Sequence, residues 1–329
     1  MSVHPWNLAV WQRLTREPER LPHALLLHGM PGVGKYALAR ALAQWLLCLT
    51  PTSQGGCGRC QSCAWLMQDA HPDLHLIEPL ADPDEAEKGR RGGAVIKIGQ
   101  LREVIEALSL SAHQGGWRVA IIRPAEAMNA AAANALLKTL EEPPPGVLLI
   151  LVSHHPRRLL PTVRSRCRAV AIPRPSQPQA LDWLAAQGVT GAEAETALRE
   201  AGGAPLLALE FADPERSARR EGLLQALAEP AKQDWCALAQ ALQGAVAETW
   251  GWLTRWVSDL IACKSGAPIR YFPQHTPRLQ SLAARANPVQ LWALYETLLM
   301  AGRHLQHPLN PQLLLESWLL RYARMEDRA

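Results

Sequence analysis

The 329-residue sequence contains no apolar run that approaches the roughly 18 residues needed to span a bilayer. Its first residues also lack the basic segment, the apolar stretch and the small-residue cleavage site of a secretory signal. Hydrophobic residues make up 48% and charged residues 19%, which excludes general disorder. We therefore expect a folded cytoplasmic protein without a membrane partner, and its length fits two or three domains.

The sequence also lacks a strong charge of either sign, because its formal net charge at pH 7 is only +4. A dedicated nucleic-acid-binding protein usually carries a larger basic excess. Charge alone therefore permits contact with nucleic acid without establishing it.

The chain has 7 cysteines and no visible signal sequence, which argues against a disulfide framework. Four of them have the spacing C-x8-C-x2-C-x2-C: Cys48, Cys57, Cys60 and Cys63. Two-residue gaps let thiolates converge on one tetrahedral ion at about 2.3 Å, and the longer gap lets the preceding helix supply the fourth ligand. We predict a structural Zn²⁺ site. An iron–sulfur cluster is the chemical alternative, but no redox-partner feature accompanies it. Unclustered thiols explain only the other three, Cys167, Cys236 and Cys263.

Three apolar runs alternate with helical patterns in the first half of the chain. The predicted strands are 24–28, 119–122 and 147–152, and the predicted helices are 36–47, a segment beginning near 100, and 129–140. Such alternation predicts a parallel α/β sheet with helices on both faces. Beyond Pro173 the pattern is helical throughout, so we place a boundary near residue 170.

A glycine loop lies between the first strand and the helix that follows it. The pattern Gly29-x4-Gly34-Lys35 lets loop amides point at a phosphate, while the helix N-terminus adds positive potential. We take the nucleotide-binding loop to comprise Gly29, Gly32, Gly34, Lys35 and Tyr36.

This loop is degenerate, because two groups that hold Mg²⁺ in a nucleotide hydrolase are missing. Tyr36 stands where a Ser or Thr hydroxyl is required, and Arg123 stands where an acid should follow the second strand. We expect no ATP hydrolysis by this chain, and passive nucleotide binding stays open. The alternative is that Glu126 or a water compensates and slow hydrolysis survives.

Tryptophans recur at helical spacing among leucines in the second half of the chain. We predict core packing for them, and nucleobase stacking is the alternative. They are Trp235, Trp250, Trp252, Trp256, Trp292 and Trp318.

Five arginines follow the third strand within 12 residues: Arg157, Arg158, Arg164, Arg166 and Arg168. Such a run is most often a solvated face or a phosphate-contacting patch. Ser165 and Cys167 flank Arg166 and distinguish it from the other four.

The motif Ser165-Arg166-Cys167, the segment 134–144, the cysteine cluster and the glycine loop together resemble the bacterial clamp-loader subunits of the AAA+ class. The motifs cover roughly the first half of the chain, and the helical remainder matches only in size and class. The resemblance implies an AAA+ nucleotide-fold domain over 1–170 with a zinc module at 48–63. It further implies a small helical lid over 171–212 and an all-α collar over 213–329 that holds a five-subunit ring together.

Among these subunits, the intact ATPases carry the Mg²⁺ ligands that are missing here, so the chain resembles the non-hydrolysing member. Ala204 follows Gly203 where an active lid has an arginine, which is a third departure, and Ser153 has the position of the polar sensor. The resemblance implies that Arg166 acts in trans, as an arginine finger on the γ-phosphate bound by a neighbouring gamma or tau ATPase.

The partners implied by the resemblance are the gamma or tau and delta subunits of the ring. The sliding clamp and primed DNA are reached through the complex. Two other functions stay open at this point. One is an autonomous ATPase of the gamma or tau type, and the other is a zinc-dependent nucleic-acid-binding protein with a vestigial phosphate loop.

Overall fold

The computed structural model describes residues 3–80, 95–113, 116–302 and 310–325. These residues form two compact units, one up to residue 210 and the other from residue 211 onwards. The finer division into segments 1–170, 171–212 and 213–329 stays a prediction. In the described part of the chain, no helix combines the length and the hydropathy needed to cross a membrane.

The first unit is built on a parallel sheet of five strands in the order β2-β3-β4-β1-β5. Its strands are β1 Ala24–His28, β2 Leu74–Ile77, β3 Arg118–Ile122, β4 Val147–Ser153 and β5 Arg168–Ala171. The register places Leu26 of β1 between Leu151 of β4 and Ala169 of β5. The predicted parallel α/β fold is confirmed, and the three strands predicted from continuous apolar runs are the three central ones.

Both strands that the sequence analysis missed lie at the edges of the sheet. In β2 only Ile77 is buried, and in β5 only Val170 is buried. An edge strand needs less apolar surface because one of its sides and part of its faces meet solvent. The apolar-run criterion therefore could not find them.

The helices of the first unit are α1 Leu8–Thr15, α2 Lys35–Leu47, α3 Gln61–Met67, α4 Ile98–Ser109, α5 Ala130–Glu141, α6 Pro161–Arg164, α7 Gln177–Ala186, α8 Gly191–Glu200 and α9 Pro205–Phe211. The Asn129 side chain caps α5 by accepting a hydrogen bond of 2.8 Å from the amide of Ala132. Helix α5 ends just before Pro143, as predicted.

Alternate residues of the central strands bury themselves against helices on opposite sides of the sheet. Leu26 lies in one core cluster with Leu101 of α4 and Leu136 of α5. Leu25 and Leu27 face the other side, where α2 packs against β1, β3 and β4. Helices therefore cover both faces, and the loop before α2 lies where the parallel strands end.

Helices make up the second unit: α10 Pro214–Ala228, α11 Trp235–Leu242, α12 Val246–Lys264, α13 Thr276–Arg285, α14 Pro288–Ala301 and α15 Pro311–Ala323. Among the described residues beyond Ala171 there is no strand. Trp256 donates a hydrogen bond of 2.8 Å to the Tyr322 hydroxyl, which donates one of 2.7 Å to the carbonyl of Leu227. This chain of hydrogen bonds joins α12, α15 and α10 inside the core.

The core prediction for the tryptophans is confirmed with one exception. Four of them are buried and Trp250 packs against the same cluster. The buried four are Trp235, Trp252, Trp256 and Trp318. The prediction is wrong for Trp292, which is 51% exposed on α14. Helical spacing gives the face of a helix but does not show whether that face is covered.

Candidate functional site

The glycine loop joins β1 to α2 through backbone conformations that favour glycine. Gly32 and Gly34 have φ angles of 73° and 82°, in the left-handed region. A Cβ atom at Gly32 would lie 2.6 Å from Cβ of Leu207, and one at Gly34 would lie 2.5 Å from Cδ2 of His4. Both positions therefore exclude a side chain.

Lys35 folds back onto the loop at the start of α2. Its Nζ donates hydrogen bonds of 2.7 Å to the carbonyl of Gly29 and 2.5 Å to that of Met30. The side chain is 3% exposed, and burial lowers its pKa to about 8, partly opposed by the Glu126 carboxylate. The loop thus holds a buried cation of its own.

Tyr36 and Arg123, which stand at the two missing Mg²⁺ positions, contact each other. The Cζ atom of Arg123 lies 3.4 Å from the centroid of the Tyr36 ring, a cation–π geometry. The same guanidinium forms an ion pair with the carboxylate of Glu78, which follows β2. These residues do not fit Mg²⁺, because a fixed guanidinium and an aromatic ring stand where oxygen ligands are required, and the nearby carboxylate is already paired.

Glu126 is engaged in holding the turn after β4. Its carboxylate accepts hydrogen bonds of 2.8 Å from the amide of His154 and 3.1 Å from that of His155. Burial by itself would raise the pKa of Glu126, but the hydrogen bonds from the Ser153 hydroxyl and the His154 amide bring it below its ordinary value. The carboxylate therefore supports this turn, and the candidate sensor Ser153 lies beside it.

A cleft of about 480 Å³ opens beside the loop. The sequence analysis missed several of the residues that line it: His4, Glu78, His154 and Glu210. The His4 ring stacks on Trp6 at a centroid distance of 4.8 Å, and Trp6 donates a hydrogen bond of 3.0 Å to the carbonyl of Val33. Residues 4–6 and 29–34 are far apart in the sequence, and no motif or periodicity relates them. The sequence analysis therefore could not predict this contact.

Arg166 lies on the surface between α6 and β5. Its Nη2 atom is 2.5 Å from Oε1 of Glu141, and its Nη1 donates a hydrogen bond of 3.0 Å to the carbonyl of Thr162. The other four arginines of the run are exposed as well. In the isolated chain the guanidinium is therefore accessible and is held by one acid from the end of α5.

The four clustered cysteines are brought together between α2 and α3. Their sulfur atoms all lie within 4.8 Å of one another. The Sγ of Cys48 is 3.6 Å from that of Cys63 and 3.8 Å from that of Cys60. Tetrahedral thiolates at about 2.3 Å from one metal ion are about 3.8 Å apart, so the arrangement of the four sulfur atoms is compatible with Zn²⁺.

Hydrogen bonds prepare part of the cluster for a cation. The hydroxyl of Thr50 and nearby amides lower the pKa of Cys57 to about 5, whereas burial raises the pKa of Cys63 to about 12. The buried Ser62 donates a hydrogen bond of 2.5 Å to the carbonyl of Leu47 and lies 2.9 Å from Nε2 of His71. These contacts tie the cluster to the end of α2 and to the segment before β2.

Comparison with known proteins places both units in one family. The family model described as DNA polymerase III, delta subunit, matches residues 6–176, and the model for the C terminal part of that subunit matches residues 214–324. A DNA polymerase III gamma subunit-related protein of Thermotoga maritima has a similar fold, with a TM-score of 0.50 and 18% identity, over 96% of this chain and 99% of that one.

Curated relatives agree with the family models. DNA polymerase III subunit delta′ of Pseudomonas aeruginosa is 34% identical over 98% of both chains. The subunit of the same name from Escherichia coli is 35% identical over 81% of this chain and 78% of its own length. The matches extend across both units and are not confined to the phosphate loop. The chain therefore belongs to the family of DNA polymerase III delta′ subunits.

Proposed function

We propose that this chain is the delta′ member of a bacterial clamp loader, a ring of subunits that places the sliding clamp on primed DNA, and that it does not hydrolyse ATP. The observation that carries this proposal is the contact between Tyr36 and Arg123. A cation fixed at the Mg²⁺ position repels the ion that phosphoryl transfer needs. An autonomous ATPase of the gamma or tau type is the alternative that this contact argues against.

Arg166 is the group through which the chain would act on its neighbour. We assign it as an arginine finger that reaches the γ-phosphate bound by an adjacent gamma or tau ATPase, where a planar cation neutralises charge that develops during transfer. Its exposure and its position outside the chain's own cleft support this role. The ion pair with Glu141 would break when the phosphate replaces the carboxylate.

The test is Arg166→Ala in a reconstituted loader with DNA present. A finger in trans accelerates its site by about 10³-fold or more, so turnover at the site that Arg166 serves should nearly disappear while the subunits still co-purify. Arg157→Ala is the matched control, because this arginine is exposed in the same segment and lacks the flanking Ser and Cys. Unchanged turnover with Arg166→Ala would remove Arg166 from the site.

The cysteine cluster is assigned as a structural Zn²⁺ site. Four thiolates would fill the coordination shell and leave no place for a water, so the ion would staple the segment 48–63 to the end of α2. The sulfur distances support this assignment. Metal analysis of the purified chain should give one zinc and no iron, and iron with a visible absorption band would contradict it.

Subunit contacts of the second unit are assigned to the outer face of α14. Four exposed apolar side chains recur there at helical spacing: Val289, Trp292, Leu299 and Met300. An apolar stripe of this kind on the surface marks an interaction site. Trp292→Glu should weaken co-purification with the gamma or tau and delta subunits, and Leu110→Glu, at an exposed leucine of the first unit, is the control.

A further inference from the structure

The Arg123 side chain joins the glycine loop to the ends of β2 and β3. Arg123 contacts Tyr36 in the first turn of α2 and pairs with Glu78 after β2. Its backbone amide also donates a hydrogen bond of 2.9 Å to the carbonyl of Ile77. In an active P-loop enzyme, Mg²⁺ and the nucleotide phosphates make the corresponding connection, so it exists only when they are bound. Here residues of the chain itself make it, with no bound ligand.

The connection continues from Arg123 to the end of β4. The segment after Arg123 carries Glu126, whose half-buried carboxylate holds the amides of His154 and His155. The amide of His155 also donates a hydrogen bond of 3.1 Å to the Ser153 hydroxyl. The turn that leaves β4 is therefore fixed by the segment that begins at Arg123.

Ten residues lie between His155 and Arg166, and they include two short helical segments. Leu159 and Val163 anchor these segments in the sheet core, with exposures of 5% and 0%. Packed side chains of this kind transmit a shift at one end to the other, because the interior has little free volume. The β4 turn is therefore linked through packed residues to the segment that carries Arg166.

We propose that Tyr36, Glu78, Arg123 and Glu126 form a brace that fixes the position of Arg166 in the absence of nucleotide and Mg²⁺. The inference rests on the proposed function, in which Arg166 serves a neighbouring ATPase. The residues of the brace touch no reacting atom, and they are positioning residues. In this view the Mg²⁺ ligands were replaced by groups that make the finger independent of the chain's own ligand state.

The test compares Tyr36→Ala and Arg123→Ala in the reconstituted loader. A small misplacement of a catalytic group costs up to about 100-fold in rate, so kcat at the site that Arg166 serves should fall about 10- to 100-fold. KM for ATP and co-purification should not change. Tyr36→Phe keeps the ring under the guanidinium and should restore the rate lost in Tyr36→Ala.

A second comparison repeats each brace variant together with Arg166→Ala. If the brace acts only through the finger, Tyr36→Ala should cause no further loss of turnover in that background. A further loss equal to that seen with Arg166 intact would overturn the inference. So would wild-type turnover in both brace variants when Arg166→Ala alone is impaired. If Arg166→Ala itself has no effect, the proposed function fails before the brace is tested.

Hydrogen exchange on the isolated full-length chain tests the brace without the ring. Tyr36→Ala should accelerate exchange at the amides of His154 and His155, because Glu126 holds them. Exchange in β1 and β4 should stay unchanged. Unaltered exchange at both histidine amides would overturn the proposed connection between Arg123 and the β4 turn.

Discussion

Helix α2 has a candidate ion-binding region at each end. One region contains positively charged side chains, and the other contains thiols that could bind a positive ion. At its start, Lys35 and Arg123 supply cations from the chain itself. At its end, Cys48 joins three more thiols whose sulfur atoms converge within 4.8 Å. The first region places a guanidinium and an aromatic ring where a metal ion would need oxygen ligands, and the second places four thiols where they could hold one.

This difference indicates that a chain can keep the backbone of a phosphate-binding loop without keeping the groups that bind Mg²⁺ beside it. In the glycine loop, Gly32 and Gly34 have positive φ angles and neighbouring side chains leave no room for a Cβ atom at either position. The metal chemistry depends on a different set of atoms, which Tyr36 and Arg123 have replaced. In the cysteine cluster all four candidate ligands are present and converge, so the geometry there is compatible with metal binding.

Removal of metal should produce the largest contrast between the two ends of α2. A chelator should expose segment 48–67 to hydrogen exchange and cost on the order of 5 kcal/mol in stability, because in our proposal the ion holds this segment to the end of α2. Segment 29–36 should keep its protection. Equal loss of protection at both ends would contradict the comparison.

Loss of one thiolate should have a smaller effect than loss of the ion. Cys60→Ser removes one of four ligands, and we expect the zinc content to fall below half an ion per chain with a cost of about 3 kcal/mol. Cys236→Ser is the control, because Cys236 is exposed and outside the cluster. Urea unfolding and metal analysis of the two variants provide the measurement. Equal stabilities would show that the cluster binds no structural ion.

Titration of Lys35 tests the opposite end. Burial lowers the pKa of Lys35 to about 8 in the folded chain, whereas its ordinary pKa, which applies to the unfolded chain, is 10.5. Between these values the unfolded state binds more protons, so the contribution of Lys35 to stability is lowest below pH 8 and rises towards pH 10.5.

We therefore compare the free energy of unfolding of Lys35→Met with that of the parent chain at two pH values. The difference, variant minus parent, should be more favourable to the variant at pH 7 than at pH 10 by on the order of 2 kcal/mol. Urea unfolding of both proteins at the two pH values gives this difference, and contributions from other groups cancel. A difference that does not change with pH would show that Lys35 is not desolvated.

Arg40 should give the smallest effect, since it only links the middle of α2 to the cysteine segment. It is 5% exposed, lies 2.5 Å from the carboxylate of Asp69 and donates a hydrogen bond of 3.1 Å to the carbonyl of Leu66. Arg40→Ala should cost about 1–2 kcal/mol because the carbonyl loses a buried donor. Zinc content should stay at one ion per chain, and its loss would show that Arg40 supports the cluster directly.

Sequence patterns were sufficient for features that depend on neighbouring residues in the chain. The central strands, the start of α2 and the cysteine spacing follow from local hydropathy and ligand geometry. Tyr36 and Arg123 were found as departures from a motif, but their mutual contact was not, because it joins residues 87 positions apart. The ion pair to Glu78 and the turn held by Glu126 are equally non-local.

Sequence patterns failed where solvent exposure decides the outcome. The edge strands β2 and β5 carry too few apolar residues to be recognised. Trp292 has the spacing of a core residue but is 51% exposed on α14. To predict either case, one must know which other elements pack against the strand or helix, and local periodicity does not give this information.

ATP turnover by the purified chain alone, in Mg²⁺ buffer and with Lys35→Ala as the control for contaminating ATPases, tests the central claim most directly. We predict that the chain and the variant release phosphate at the same background rate, because Tyr36 and Arg123 stand where the ligands of Mg²⁺ are required. Brisk hydrolysis by the chain that disappears in Lys35→Ala would contradict the account.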